Sequence, residues 1–171
     1  MTAFTMNETN LFCRKLLGTP LFDTFLLEEC TIATAHTFQI DGHINKDFYT
    51  KEEQESLQLT APHAPVLSSY KALRPICYEL MKGKKTPLRF RFVFHLSREN
   101  TEKLLAKTGV PFSIEDINAL VLTVRYDGSM VTCTTGVSLS VFTMDKSLEQ
   151  AWDEMVRRFF LQNDFSFASC L

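Results

Sequence analysis

The segment KGKKTPLRFRFVFHLS, residues 82–97, decides the fold of this chain. Its apolar side chains recur at a period of two, which predicts a β-strand with one face on the core. The core face would carry Leu88, Phe90, Phe92, Phe94 and Leu96, and the opposite face Arg89, Arg91, Val93 and His95. Such a strand predicts a sheet that is buried on one side and carries cations on the other.

The composition is that of one globular domain. The chain has 171 residues, 45% of them hydrophobic and 22% charged, which is enough for a sizeable core without cross-links. Fifteen phenylalanines against one tryptophan predict a phenylalanine-rich core, since phenylalanine has no polar atom that needs a partner. The net charge of -2 argues against a general polyanion-binding protein, which usually carries a basic excess.

The five cysteines are widely separated and form neither a CxxC motif nor a cluster with histidine. They predict buried thiols in a reducing compartment, with no disulfide framework, no structural metal and no other cofactor. The sequence shows no basic and apolar leader and no apolar run of roughly 18 to 20 residues. We therefore expect a cytoplasmic protein that does not bind a membrane.

The order of the predicted elements indicates an α+β protein. Alternation and turn residues predict strands near residues 3–6, 24–33, 37–41, 88–96, 120–126 and 130–135, with helices near 9–17, 51–59, 68–82, 97–108 and 147–162. Asp41-Gly42 and Asp127-Gly128 each predict a hairpin turn, and Gly136 predicts a bulge or a tight turn. We predict a predominantly antiparallel sheet of six or seven strands with helices mainly on one face.

The order strand, helix, strand, strand, helix occurs twice along the chain, which is the pattern of a duplicated β-α-β-β-α unit. We interpret residues 1–171 as a single domain, with pseudo-repeat halves at 1–83 and 84–163 and a tail at 164–171. Common helix-ending and hairpin residues would produce the same likeness without duplication, so both explanations stay open.

The sequence contains no complete catalytic motif. GxSxG, a local Cys/His signature and a glycine-rich phosphate loop are all absent. The stretch TFQIDGHINKDF (37–48) lacks the acidic ligands of a calcium loop. Glu28 and Glu29 are neighbours in a predicted strand, so we expect them on opposite faces, where one pairs with Arg89 or Arg91. An enzyme is therefore not favoured.

The cations of residues 82–97 form the one candidate site. Lys84, Lys85, Arg89, Arg91 and His95 would hold phosphate or carboxylate groups through charge-assisted hydrogen bonds. Hydroxyl-bearing residues at 132, 134, 138 and 140 would extend the same sheet face. The other interpretation is a solvated face whose charges are satisfied by nearby acids. Phenylalanines alternate away from these cations, which leaves no aromatic platform for single-stranded nucleic acid.

Three segments, TFQIDGHINKDFYTKEE (37–53), LRPICYELMKGKKTP (73–87) and TCTTGVSLSVFTMDKSLEQAWDEM (132–155), carry a family resemblance. The chain resembles a family of short bacterial proteins that is carried as a domain of unknown function. The resemblance covers nearly the whole chain and fits least after Gln162. It implies a cytoplasmic, single-domain bacterial protein, and it supplies no activity, cofactor or functional residue.

The sequence thus favours a non-enzymatic binding or protein-interaction domain that meets its partner through the cationic sheet face. One alternative is that the basic face binds an anionic ligand or nucleic acid. The other is an enzyme whose site is assembled only in the folded chain. A protein partner or a homodimer across the open face is expected before nucleic acid.

Overall fold

The computed structural model describes residues 1–170 and contains one antiparallel sheet of seven strands with helices packed on one face. The strands are β1 (Ala3–Met6), β2 (Leu26–Ala33), β3 (Thr37–Asp41), β4 (Arg89–His95), β5 (Ile117–Tyr126), β6 (Val131–Leu139) and β7 (Phe167–Cys170). The α-helices are α1 (Thr9–Gly18), α2 (Lys51–Ser56), α3 (Tyr70–Met81), α4 (Arg98–Thr108) and α5 (Ser147–Gln162). The predicted α+β class and the number of strands are confirmed.

The order of strands across the sheet is β3-β2-β4-β5-β6-β1-β7. Every neighbouring pair is antiparallel. The segment that decides the fold forms β4, an interior strand between β2 and β5. β1 lies between β6 and β7, so strands from both ends of the chain complete one side of the sheet. The division of the chain into pseudo-repeat halves stays a prediction.

The buried sheet face and four helices enclose one core. Phe90, Phe92 and Phe94 of β4 are at most 2% exposed, as the alternation predicts. The helices add Phe12 and Leu16 from α1, Tyr70 and Cys77 from α3, Leu104 from α4, and Trp152, Val156 and Phe160 from α5. Leu88 was predicted to join this face but is 63% exposed, because the chain enters the sheet only at Arg89.

A β-bulge interrupts β2 at Glu28. Leu27 lies opposite Phe94 and Glu29 lies opposite Val93, so Glu28 is the one extra residue in this strand. A bulge of this kind bends the strand and re-aims the side chains around it. Because of this bulge, Glu28 and Glu29 need not alternate between the two faces of the sheet.

Gly42 makes room for this bulge. Its N–H donates to the carbonyl oxygen of Glu28 at 2.8 Å, and a Cβ atom built on Gly42 would lie 1.6 Å from the carbonyl oxygen of Leu27. The turn between β2 and β3 lies at residues 34–36, where the N–H of Thr34 donates to the carbonyl oxygen of His36. The predicted Asp41-Gly42 hairpin is therefore wrong, since this glycine serves a close backbone approach at the far end of β3.

The hairpin predicted at Asp127-Gly128 joins β5 to β6 and is confirmed. The predicted interruption at Gly136 is wrong, because β6 continues through Gly136, which lies directly opposite Val121. The alternation of inward side chains is preserved by Thr135, which is 1% exposed and donates its hydroxyl to Asp153 at 2.5 Å. A buried threonine is tolerated at this inward position because its hydroxyl has a charged partner.

The helices agree closely with their sequence patterns at the C-terminal end of the chain. α5 spans the predicted residues, Ser147–Gln162. Pro75 lies inside α3, and Ser69 occupies the N-cap position of that helix. Within residues 1–170, no helix combines the length and the apolar character that crossing a bilayer requires.

Candidate functional site

The sheet face that points away from the core helices presents alternate residues of its strands. In one row across the sheet, Arg91 of β4 lies opposite Arg125 of β5, and Arg125 lies opposite Thr132 of β6. In the next row, Thr123 of β5 lies opposite Thr134 of β6. We call this surface the arginine–threonine face; it comprises Arg89, Arg91, Thr123, Arg125, Thr132 and Thr134.

The arginines of this face carry charge that the protein neutralises only in part. Arg89, Arg91 and Arg125 are all exposed. Among the ion pairs within residues 1–170, those three contribute one, between Arg91 and Glu29. Like charges placed directly opposite each other on antiparallel strands destabilise the pairing. The Arg91–Arg125 pair is therefore a position at which a bound anion would be favourable.

A shallow depression of about 460 Å³ lies over this pair. Its lining combines the arginine pair with the threonines and the end of the β5–β6 hairpin: Arg91, Thr123, Arg125, Asp127, Met130, Thr132 and Thr134. The threonines are half-buried and hold their hydroxyl groups on rigid strands. Guanidinium and hydroxyl groups together are the hydrogen-bond donors that phosphate and carboxylate oxygens require.

Asp127 is the acidic residue in this lining, and its turn already uses the carboxylate. Oδ1 of Asp127 accepts hydrogen bonds from the backbone N–H of Ser129 at 2.9 Å and of Met130 at 3.0 Å. The Met130 N–H, followed by the N–H and hydroxyl of Ser129, lowers the pKa of Asp127 to about 2. Asp127 thus stabilises the hairpin and lies beside the arginine pair as a fixed negative charge.

The structure separates the predicted anion-binding residues into three groups. Arg89 and Arg91 lie on the arginine–threonine face, while Lys84 and Lys85 lie in the exposed segment that precedes β4. His95 lies at the far end of β4, six residues beyond Arg89 and about 20 Å away along an extended strand. Anion binding by these residues as a set stays a prediction.

Sequence reasoning missed two members of the face, Thr123 and Arg125. Both lie in VLTVRY, where Val121, Thr123 and Arg125 alternate with buried Leu122 and Val124. That alternation was available in the sequence and would have placed Arg125 on the outer face of its strand. Its position opposite Arg91 depends on the pairing of β4 with β5, which no local pattern specifies.

The bulge in β2 turns both adjacent carboxylates toward the outer face. Glu29 accepts a hydrogen bond from Nη1 of Arg91, which confirms the predicted cross-strand ion pair. Oε2 of Glu28 lies 2.6 Å from Nε2 of His95. Because Arg91 and His95 share one face of β4, the expectation that Glu28 and Glu29 lie on opposite faces is wrong. One extra residue in the strand shifts its alternation.

The fold and this face define the chain as an α+β protein with a single antiparallel sheet and one cation-bearing outer face. A family model with the description "Family of unknown function (DUF5721)" matches residues 15–168, and the chain belongs to that family. The resemblance found in the sequence is thereby confirmed. No curated protein and no solved structure matches the chain.

Proposed function

We propose that the protein is a non-enzymatic binding protein whose arginine–threonine face binds a compact anionic group, a phosphate or carboxylate, on its partner. The observation that carries this proposal is the Arg91–Arg125 pair, two arginines directly opposite each other in the register of β4 and β5 on the outer sheet face. An anion between them would remove their repulsion and accept charge-assisted hydrogen bonds from both. The hydroxyls of Thr123, Thr132 and Thr134 would supply further hydrogen bonds.

The size of the charged area supports a compact group rather than a long polyanion. Three arginines lie on the face, one of them already paired with Glu29, in a chain of net charge -2. The exposed aromatic side chains within residues 1–170 lie elsewhere: Phe38 alternates to the core side of β3, and Phe48, Tyr78 and Phe142 lie in other segments. A face without aromatic side chains offers no stacking for unpaired bases.

Titration calorimetry with inorganic tripolyphosphate at low ionic strength tests the proposal. We expect saturable binding by the wild type and a loss of about tenfold or more in affinity when Arg91→Gln and Arg125→Gln are combined, since two charge-assisted hydrogen bonds are removed. The matched control combines Arg157→Gln and Arg158→Gln on α5, with the same change in charge. Equal weakening in both double variants would show that net charge alone acts, and it would overturn the proposal.

Nucleic-acid binding is distinguished by its salt dependence. A fluorescein-labelled single-stranded oligonucleotide is titrated at several salt concentrations, with Arg89→Ala and Arg91→Ala as variants. Contact with few phosphates predicts a slope of log affinity against log salt no steeper than about -2. A much steeper slope in the wild type, lost in these variants, would show that the ligand is a nucleic-acid strand and not a compact anion.

A homodimer across the same face is the other interpretation. Stacking two copies of the arginine–threonine face would bring four guanidinium groups of two Arg91–Arg125 pairs together, which charge repulsion opposes. We therefore expect sedimentation velocity to show a monomer at all protein concentrations. A concentration-dependent dimer of the wild type would contradict this expectation and would favour self-association over anion binding.

The cysteines support a non-enzymatic protein, and we further propose that the protein is cytoplasmic. Burial raises the pKa of the Cys133 thiol well above its ordinary value and raises that of Cys13 to about 11, so neither forms a nucleophilic thiolate near neutral pH. Cys30 and Cys77 are buried free thiols, as expected in a reducing compartment. The bacterial origin implied by the family resemblance is part of the same proposal.

A further inference from the structure

A second concave site lies at the end of the sheet where β4 finishes and β5 begins, away from the Arg91–Arg125 pair. This cavity has a volume of about 310 Å³, at the lower end of the range for small-molecule sites. Its walls come from four parts of the chain and include His63, Leu67, His95, Arg98, Ile117 and Asn118. Most of the wall is apolar, with a few nitrogen-bearing side chains at its edge.

Three backbone irregularities meet around this cavity. The bulge at Glu28 places a carboxylate on His95, and a second register shift occurs in β5 between Ile117 and Ala119. His63 adopts a left-handed conformation with φ of 61°, which is unfavourable for a residue with a side chain. Bulges and strained residues persist where the surrounding structure holds them, and they concentrate at binding sites.

The polar groups of the cavity retain unused hydrogen-bonding capacity. His95 contacts Glu28 through Nε2 at 2.6 Å, which leaves its Nδ1 as a hydrogen-bond acceptor in the neutral tautomer. Arg98 reaches Glu102 through Nε at 3.2 Å and Glu115 through Nη2 at 2.8 Å, which leaves its Nη1. Both side chains are held in place by carboxylates, so neither has to be ordered again when a ligand arrives.

We propose that this cavity binds a small organic acid, with its carboxylate on Arg98 and its apolar part against Leu67 and Ile117. A carboxylate suits the site because Arg98 carries a permanent charge and presents a free N–H donor. An apolar body suits it because the remaining wall is mostly aliphatic. The bulge at Glu28 would then serve to position His95 at the ligand rather than to bind the ligand itself.

The test is a titration of the uniformly ¹⁵N-labelled full chain with benzoate, followed by heteronuclear correlation spectra. We expect saturable shifts confined to residues 63–67, 95–98 and 114–120, in both the wild type and the α5 control Arg158→Gln. Arg158 pairs with Glu154 four residues away, as Arg98 pairs with Glu102, so the control loses an equivalent surface ion pair. Arg98→Gln should weaken benzoate binding about tenfold, as expected for a charge-assisted hydrogen bond.

Benzyl alcohol supplies a second measurement that needs no variant. It keeps the ring and lacks the carboxylate, so we expect the wild type to bind it at least tenfold more weakly than benzoate. Equal binding of the two compounds, unchanged binding by a folded Arg98→Gln protein, or shifts scattered over the surface would each overturn the proposal. Loss of tripolyphosphate binding at the arginine–threonine face would leave these outcomes unaffected, because the two sites share no residue.

Discussion

Replacement of Gly42 by alanine tests whether the bulge in β2 is an obligatory part of the fold. The added Cβ would lie 1.6 Å from the carbonyl oxygen and 2.7 Å from the carbonyl carbon of Leu27. Both are backbone atoms, so no side-chain rotation relieves the overlap, and the chain at Gly42 must move away from β2. That movement breaks the bond from the Gly42 N–H to Glu28 and the bond from the Ser68 N–H to the Gly42 carbonyl, each 2.8 Å long.

The expected loss of stability follows from these bonds. At about 1 to 1.5 kcal/mol for each hydrogen bond, Gly42→Ala should lower the free energy of unfolding by about 2 to 3 kcal/mol. Urea unfolding followed by fluorescence measures this loss, since the single tryptophan, Trp152, is completely buried. Because the bulge positions Glu28 on His95, the imidazole resonances of His95 should also shift in the variant.

The matched control is Gly18→Ala. Gly18 is the last residue of α1, and a Cβ built on it has no neighbour within 4 Å. The helical preference of alanine predicts unchanged stability or a gain of up to about 1 kcal/mol. If Gly42→Ala proves as stable as the wild type to within about 0.5 kcal/mol, the close approach of Gly42 to Leu27 does not exist in solution.

Three further predictions follow from single groups. Hydrogen bonds led by the Met130 N–H hold the pKa of Asp127 near 2, below its unfolded value, so their stabilisation is present at neutral pH and is lost between about pH 5 and pH 1. Asp127→Asn should thus be less stable than the wild type at pH 7, and in thermal unfolding the difference should shrink steadily as the pH falls through about 2; a constant difference would contradict this. Trp152→Phe loses a buried indole hydrogen bond and should cost about 1 to 3 kcal/mol in urea unfolding, and a smaller loss would refute the packing described. Ellman's reagent should modify exposed Cys170 at once and buried Cys133 only after unfolding, and Cys170→Ser should remove the fast phase.

Local patterns predicted the elements whose evidence lies within a few neighbouring residues. The alternation of β4 identified its buried phenylalanines, and the pattern of α5 gave its span. Asp127-Gly128 was placed correctly because its turn is closed by residues within three positions of it. Asp41-Gly42 has the same dipeptide and failed, since the need for its glycine comes from Leu27 in another strand.

The candidate site was only half accessible to sequence reasoning. Arg89 and Arg91 were found because they alternate with phenylalanines in one strand. Arg125 completes the pair only through the β4–β5 register, and His95 lies apart from the arginines at the far end of β4, where it contacts Glu28. Each of these outcomes depends on which strand lies beside which.

The sequence by itself determined the class of the fold, the two faces of β4 and the family of the chain, because periodicity and local turn chemistry act over a few residues. The tertiary structure alone decided that His95 meets Glu28 and that Arg91 lies opposite Arg125. His95 and Glu28 are 67 residues apart, and one extra residue in β2 brings them together and turns Glu29 toward Arg91. Strand register and bulges are set by packing of the whole sheet, so the electrostatics of its outer face become visible only in the folded chain.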